Sequence, residues 1–512
     1  MKERKIRSAL LSVYHKEGLE PIVQYLAGED VRILSTGGTA AFIRGMGVEV
    51  QEIESLTGYP SILGGRVKTL HPKVFGGILT RREKEADQKD MEAYQIPMID
   101  LVLVDLYPFE ATLRNSSDEA AIIEKIDIGG ISLIRAAAKN FEDVLVVPGR
   151  EYYGELMELL ETKNGSSDRD DRKRFAAAAF HISSHYDTTI FNYFNKDAGY
   201  EEVFKVSYGN GRSLRYGENP HQKGYFYGNP DELFTQLHGK ALSYNNLVDI
   251  DAALDVLEEF DSPDGGVTFT ILKHTNPCGL ATRSSSLKAW EAALAGDPVS
   301  AFGGIIASNG KIDEETALAI NELFFEVILA PEFDEKALEI LKSRKKRIIL
   351  KKHPMALSQK QFKTAANGVL LQDKDRQKEG KETWQISTIR KPDEREMRDM
   401  EFGMKAVKHL KSNAIALVKD EQLIGMGAGQ TSRIDALKQA ISKAGRMGFE
   451  SKGAVLASDA FFPFADSVEA AFEAGIEVIV QPGGSRRDQE SIDFCNEKGM
   501  CMVMTGMRHF KH

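Results

Sequence analysis

Val31-Arg-Ile-Leu-Ser-Thr-Gly-Gly-Thr-Ala40 is the stretch on which the fold turns. Val31 to Leu34 reads as a buried strand, Ser35 to Thr39 as a tight turn, and a helical pattern follows from Ala40. Upstream, Leu19, Ile22, Val23 and Leu26 recur at helical spacing. Downstream, Val48 to Ile53 alternates like a strand, and Ile99 to Leu106 is a second apolar run that ends in Tyr107-Pro108. Ser117 is placed to cap a helix, and Glu142 to Val147 reads as another strand. Strands that alternate with helices predict an α/β domain built on a parallel sheet with both faces covered.

Beyond this lies the polar loop Asn164 to Asp171, then a long helical pattern over about 172–194 and a linker-like Asp197-Ala-Gly. These place the main boundary near residue 200, giving a domain over 1–199, with a helical linker at about 165–199, and a second over 200–512. The second half returns to α/β alternation. Asp373 to Glu382 is strongly charged and reads as an exposed linker, after which Ala414 to Val418, Ala454 to Ala457 and Ile476 to Val480 are strand-like. Residues 200–372 and 383–512 therefore read as two similar subdomains, each with a strand running into a Ser/Phe turn, Val299-Ser-Ala-Phe-Gly303 and Ala457-Ser-Asp-Ala-Phe461. A length of 512 residues agrees with about three domains of roughly 150 each.

Hydrophobic residues make up 42% of the chain and charged residues 28%, as in ordinary globular proteins. Cys278, Cys495 and Cys501 form no CxxC pair, which suits a reducing, cytoplasmic setting. The apolar stretch Ala9 to Val13 is too short for a signal peptide, and no apolar run reaches the 18 or so residues of a membrane span. A formal net charge of −10 argues against nucleic acid as a general partner. Local basic pockets can still take an anionic small molecule.

Several segments make poor packing material. Leu214-Arg-Tyr-Gly-Glu-Asn-Pro-His-Gln222 and Lys273-His-Thr-Asn-Pro-Cys-Gly279 each set a cation and a histidine among turn formers. Ser35-Thr-Gly-Gly-Thr39 opens a helix and suits a phosphate, or is simply a βα turn with a threonine cap. In Gly64-Gly-Arg-Val-Lys-Thr-Leu-His-Pro72, Arg66 and Lys68 would face one way if extended, with Thr69 nearby; the alternative is a solvated basic loop. Asp127, in Ile126-Asp-Ile-Gly-Gly130, either caps a helix or serves a site, and Lys139 lies near that helix's end. Gly425-Met-Gly-Ala-Gly-Gln-Thr-Ser-Arg433 is neither GxGxxG nor a P-loop, and suggests close backbone approach to a ligand with Arg433 reaching an anion. Asp459-Ala-Phe-Phe-Pro-Phe-Ala-Asp466 is core, or a stacking wall for a flat heterocycle. Pro277-Cys-Gly begins like a zinc-deaminase signature, but Ala281 stands where the second cysteine would be, so no metal is expected.

Taken in order, STGGT, GGRVKTLHP, DLYPF, IDIGG with RAAAKN, LRYGENPHQ, KHTNPCG, SAFGG, GAGQTSR and SDAFFPF resemble the bifunctional purine-biosynthesis family that joins an AICAR formyltransferase to an IMP cyclohydrolase. The resemblance spans essentially the whole chain. It implies a methylglyoxal-synthase-like domain followed by two cytidine-deaminase-like subdomains, a cytoplasmic homodimer, and 10-formyltetrahydrofolate as a consumed cosubstrate, with no tightly bound cofactor, no nucleic acid and no membrane. For formyl transfer it implies His274 as base, helped by Lys273 and Asn413. Arg215, Tyr216, Gly303, Glu326, Arg433, Phe461 and Arg508 would hold AICAR, and Asp466, Ser485 and Arg486 the folate. For ring closure it implies Lys139 as the leading proton carrier with Lys68, Tyr107 and Asp127. Lys16, Ser35, Thr36, Gly37, Gly38, Thr39, Arg66 and Thr69 would hold the phosphate and ribose of IMP. The rivals are a zinc deaminase, a nucleotide-sensing binding protein, and a monofunctional formyltransferase with an inactive N-terminal domain.

Overall fold

Near-continuous apolar strands must be covered on both faces, and the first domain is built that way. A computed structural model describes residues 3–199, 202–209, 211–260, 266–354, 357–378 and 380–512, except the side chain of residue 197; the boundary expected near residue 200 lies outside the described residues. The chain divides into two compact units, Met1–Tyr208 and Gly209–His512. In the first, Gln51–Glu52, Arg32–Ser35, Ser8–Val13, Leu101–Asp105 and Leu145–Val147 pair in that order, all parallel. Leu10, Leu34, Val102 and Val146 are fully buried. The chain starts at a central strand, builds outward to one side, then returns to the other. The order therefore reverses between Ser8–Val13 and Leu101–Asp105, the place where open α/β sheets leave a crevice.

Local signals set the ends. Gln51–Glu52 is a strand but Ile53–Thr57 is helical, so the alternation from Val48 to Ile53 overstated the strand. The helix Glu119–Ile123 is capped by Asp118, whose carboxylate accepts from the Ala120 N–H at 3.1 Å, rather than by Ser117. The long helix runs Arg169–Ala198, farther than its apolar pattern, because Asp168 and Asp171 form a capping box ahead of that pattern.

The second unit holds two six-stranded sheets of one design. Phe234–His238, Ile348–Lys352, Val327–Ala330, Ile305–Ser308, Val267–Lys273 and Asn276–Arg283 form the first. Gln385–Ile386, Cys501–Met504, Val478–Gln481, Val455–Ser458, Ile415–Val418 and Leu423–Gly427 form the second. Each has an antiparallel edge, a parallel centre and a closing hairpin with a register shift. Helices Tyr244–Glu259 and Glu394–Val407 share one core with the inner faces of both sheets. The bridge between Ala281 and Gln422 joins the sheets edge to edge. Ser286–Gly296, Pro298–Ala301, Glu314–Asn321 and Glu335–Lys342 pack on the outer face of the first sheet and Arg433–Arg446, Asp466–Glu473 and Asp488–Lys498 on that of the second, and none of the described helices is long and apolar enough to cross a membrane.

Two expectations need refining for physical reasons. The charged stretch from Asp373 is largely exposed in its described part, as expected, but it is tethered: Lys374 sits 2.9 Å from Asp255, Arg376 pairs with Glu258, and Asp375 lies 2.6 Å from His509. Charge alone could not reveal carboxylates waiting on the helix Tyr244–Glu259. Gly425 and Gly427, expected to admit a ligand, instead admit a helix. A Cβ at 427 would run into the Ala436 carbonyl oxygen, and one at 425 into that of Ala440. Such overpacking costs about 1–3 kcal/mol where the backbone can shift at all.

Candidate active sites

A cavity of about 640 Å³ opens where the first sheet reverses, at the ends of Ser8–Val13 and Leu101–Asp105. Lys16, Thr36, Gly38, Thr39, Arg66, Lys68, Thr69, Tyr107 and Asp127 line it, as the sequence led us to expect. The Lys16 ammonium donates to the carbonyls of Val13 and Tyr14, the latter at 3.0 Å. Burial lowers its pKa, and Lys68 works in the same direction, while Asp105 and Glu17 oppose the shift. Two ammonium groups crowded beside a helix N-terminus, Gly37–Gly45, want an anion between them. Thr36 occupies the cap position of that helix but its hydroxyl makes no capping bond, so a phosphate would find it unspent.

Asp127 lines the cavity, and its carboxylate also holds the first turn of Gly129–Lys139. Its carboxylate accepts from the Gly130 N–H at 2.6 Å and also from the N–H groups of Tyr107 and Ile131. Burial still outweighs these donors and raises its pKa. Burial likewise raises that of Tyr107, followed by the nearby Asp127. The Tyr107 ring meets Tyr14 edge-on at 5.4 Å, and Lys125 Nζ lies 5.2 Å from the Tyr14 ring centre and 5.8 Å from that of Tyr107.

Four expectations need correction. Lys139 does not line this cavity; it is exposed at the last turn of Gly129–Lys139, and a helix of that length carries it about 15 Å from the Asp127 end. Ser35 is fully buried and its hydroxyl donates to the Leu11 carbonyl at 2.7 Å, so it holds the sheet. Gly37 shapes the turn, at φ 44°, without lining the cavity. Arg66 lines the cavity but not from an extended segment: Leu63, Gly64 and Gly65 have positive φ, Arg66 is helical, and it pairs with Glu124.

A second cavity, of about 610 Å³, gathers Arg215, Tyr216, Lys273, His274, Gly303 and Glu326 in the second unit. His274 and Thr275 form the two-residue turn between Val267–Lys273 and Asn276–Arg283, with φ of 53° and 64°. Asn-Gly would be the easy choice for such a turn, so this backbone is held by its surroundings. Asp249 is the holder. Its carboxylate accepts from the Thr275 N–H at 2.7 Å, and burial raises its pKa, with the nearby His274 opposing. The Lys273 ammonium donates to the Phe302 carbonyl at 2.8 Å. Glu326 accepts from Lys240 and from Asn246, each at 3.2 Å. Asp249, Lys240 and Asn246 carry no local sequence signal, because their neighbours arrive from distant strands.

Asn413, Arg433, Phe461 and Arg508 do not line that cavity. They lie in the loops and at the helix start around the second sheet. Arg433 is 6% exposed, ion-pairs with Asp459 and donates to the Asn413 side-chain oxygen at 2.8 Å. Its charge is answered inside the chain, against the expectation of a free anion ligand. Arg508 is exposed, its guanidinium 4.4 Å from the Phe510 ring centre. Phe462 is buried core, whereas Phe461 and Phe464 stay exposed, so the core reading holds for only part of the aromatic segment. Asp466 begins the helix Asp466–Glu473, and Ser485 and Arg486 lie in the loop after Val478–Gln481. Arg487 over Phe464, at 5.0 Å, brings those two loops together. Cys278 is a buried thiol, its pKa pushed up to about 12 by burial.

These two cavities, one in a parallel sheet and one in a twin-sheet unit, each gather cations and titratable groups, the arrangement of a two-site enzyme. The AICARFT/IMPCHase bienzyme family matches residues 137–443, and the MGS-like domain matches residues 18–132. The chain is 56% identical over 99% of both chains to a bifunctional purine biosynthesis protein PurH of Bacteroides thetaiotaomicron. It is 45% identical to one of Acetivibrio thermocellus, over 99% of this chain and all of that one. Among solved structures, "Crystal structure of ForH" matches 37% of this chain and 96% of its own at 38% identity, with a TM-score of 0.32. The chain belongs to the AICARFT/IMPCHase bienzyme family. It is a bifunctional enzyme of purine biosynthesis, both formyltransferase and cyclohydrolase, and the full-length match with its MGS-like domain speaks against a monofunctional formyltransferase.

Proposed function

We propose that the two cavities divide the family's two reactions, and that Lys273 and His274 at a strained turn beside Arg215 carry the first. The acceptor amine of AICAR is conjugated with its ring and is a poor nucleophile. As its nitrogen attacks the formyl carbon of 10-formyltetrahydrofolate, His274 takes its proton, help worth about 10²–10⁴-fold. Lys273 answers the tetrahedral oxyanion. The bond to folate N10 then breaks, N10 gains a proton and tetrahydrofolate leaves. Arg215, Tyr216, Gly303 and Glu326 hold the nucleotide, and Asp466, Ser485 and Arg486 the folate.

In the N-terminal cavity the carboxamide nitrogen of formyl-AICAR attacks the formyl carbon, a new C–N bond closes the ring, and water leaves. Asp127 is placed to take the amide proton and Lys68 to answer the oxyanion, with Tyr107 orienting the ring. Lys16, Thr36, Gly38, Thr39, Arg66 and Thr69 hold the phosphate and ribose. Asn413, Phe461, Arg508 and Lys139 line neither cavity, which fits a working homodimer in which a second copy presents them, with Arg433 holding Asn413 by its side-chain oxygen. Purified protein given AICAR and 10-formyltetrahydrofolate should release tetrahydrofolate and form IMP. Folate release without IMP would overturn the N-terminal assignment, and AICAR binding without either product would leave only a nucleotide sensor.

A further inference from the structure

The Tyr186 hydroxyl sits between the two backbone groups that carry the Asp127 loop. It accepts from the Asp127 N–H at 2.8 Å and donates to the Lys125 carbonyl at 2.8 Å. One group thus saturates a donor and an acceptor two residues apart, which fixes the loop's path more tightly than either bond alone. Tyr186 comes from the long helix Arg169–Ala198, is 8% exposed and contributes no atom to the cavity. Its ring meets Phe109 edge-on at 6.0 Å, and Phe109 meets Tyr193 of the same helix at 6.0 Å. Phe109 in turn donates its N–H to the Tyr107 carbonyl at 2.8 Å. The same helix therefore braces both flanks of the cavity, the segment of Tyr107 and the segment of Asp127.

We infer that Tyr186 is a positioning residue for ring closure, holding the Asp127 carboxylate in register with Tyr107 through a hydroxyl that never meets the substrate. This rests on Asp127 belonging to the reaction machinery. Both bonding capacities of the hydroxyl, one as donor and one as acceptor, are spent on either side of a single residue that the proposed ring closure uses. The phosphate-holding groups Lys16, Thr36 and Gly38 stand on other loops, so loss of the hydroxyl should leave substrate affinity alone.

The test is Tyr186→Phe, which keeps the ring and its packing on Phe109 and removes only the oxygen. With formyl-AICAR supplied, kcat for cyclisation should fall roughly ten- to hundredfold, the cost of a displacement on the order of 1 Å, while KM holds. Formyl transfer, which uses the other unit, should persist and certify the fold. The pH profile of kcat should shift, because the Asp127 carboxylate loses alignment with the N–H groups of Tyr107, Gly130 and Ile131. In Asp127→Asn, adding Tyr186→Phe should cost nothing further. A parental kcat in Y186F beside a slow D127N overturns the inference alone, as do additive losses in the double variant. A parental rate in D127N removes Asp127 from the mechanism, and the inference with it.

Discussion

The N-terminal cavity takes nearly all its groups from successive loops of one parallel sheet, whereas the residues proposed for formyl transfer are divided between two sheets of the same design. At the first, the strand ends at Val13, Ser35 and Asp105 deliver Lys16, the Gly37–Gly45 helix and Tyr107 to one crevice. At the second, one sheet presents Lys273 and His274 at its hairpin turn. The other sheet ties Asn413 to Arg433 and Arg433 to Asp459. A topological switch point concentrates loops by construction. Twin sheets only repeat a scaffold, and chemistry has to be shared out between the copies.

The largest effect that could break this contrast is His274→Ala. Formyl transfer should fall by about 10²–10⁴-fold while cyclisation of supplied formyl-AICAR continues at the parental rate, read as folate release and IMP formation separately. Loss of both in a folded protein would mean that the cavities are not independent. A sharper test mixes H274A with N413A, each inactive alone. If two copies share each site, half of randomly exchanged dimers are mixed and each holds one intact site, so about a quarter of the parental activity should return. No recovery on mixing would place both residues in the service of one chain. Asp249→Asn should cost less, about tenfold in formyl-transfer kcat, since it loosens the turn under His274.

The smallest expected effect concerns the N-terminal unit alone. His185 Nε2 lies 2.6 Å from Glu110, whose carboxyl the imidazole holds down to about 2, while Glu110 raises the pKa of His185. The raised histidine stabilises fully below its unfolded value near 6.5, and that contribution is lost as pH rises through the folded pKa. The depressed glutamate stabilises above its unfolded value near 4.3, and that contribution is lost as pH falls toward about 2. His185→Ala should therefore lower the unfolding midpoint more at about pH 5.5 than at about pH 8, the pair acting most strongly between those unfolded values. Both side chains are about a third exposed, so the effect should be under about 1 kcal/mol. Equal losses at the two pH values would assign the imidazole a packing role.

Apolar runs and turn formers by themselves determined the α/β character of this chain, the βα turn at Ser35 to Thr39, and the motifs that name its family. These rest on local physics: strands buried on both faces must read as apolar runs, and a tight strand-to-helix turn favours glycine. Only the tertiary structure decided that Ser35 serves the sheet, that Gly425 and Gly427 admit a helix, and that the charged run from Asp373 is clamped by carboxylates. It alone set Lys139 about a helix length from Asp127, and it found Asp249 and Tyr186, whose work lies in a single hydrogen-bonded group brought from a distant element. Sequence spacing records which residues share a turn or a face. Which partner a buried oxygen meets depends on how far the chain has travelled before it returns.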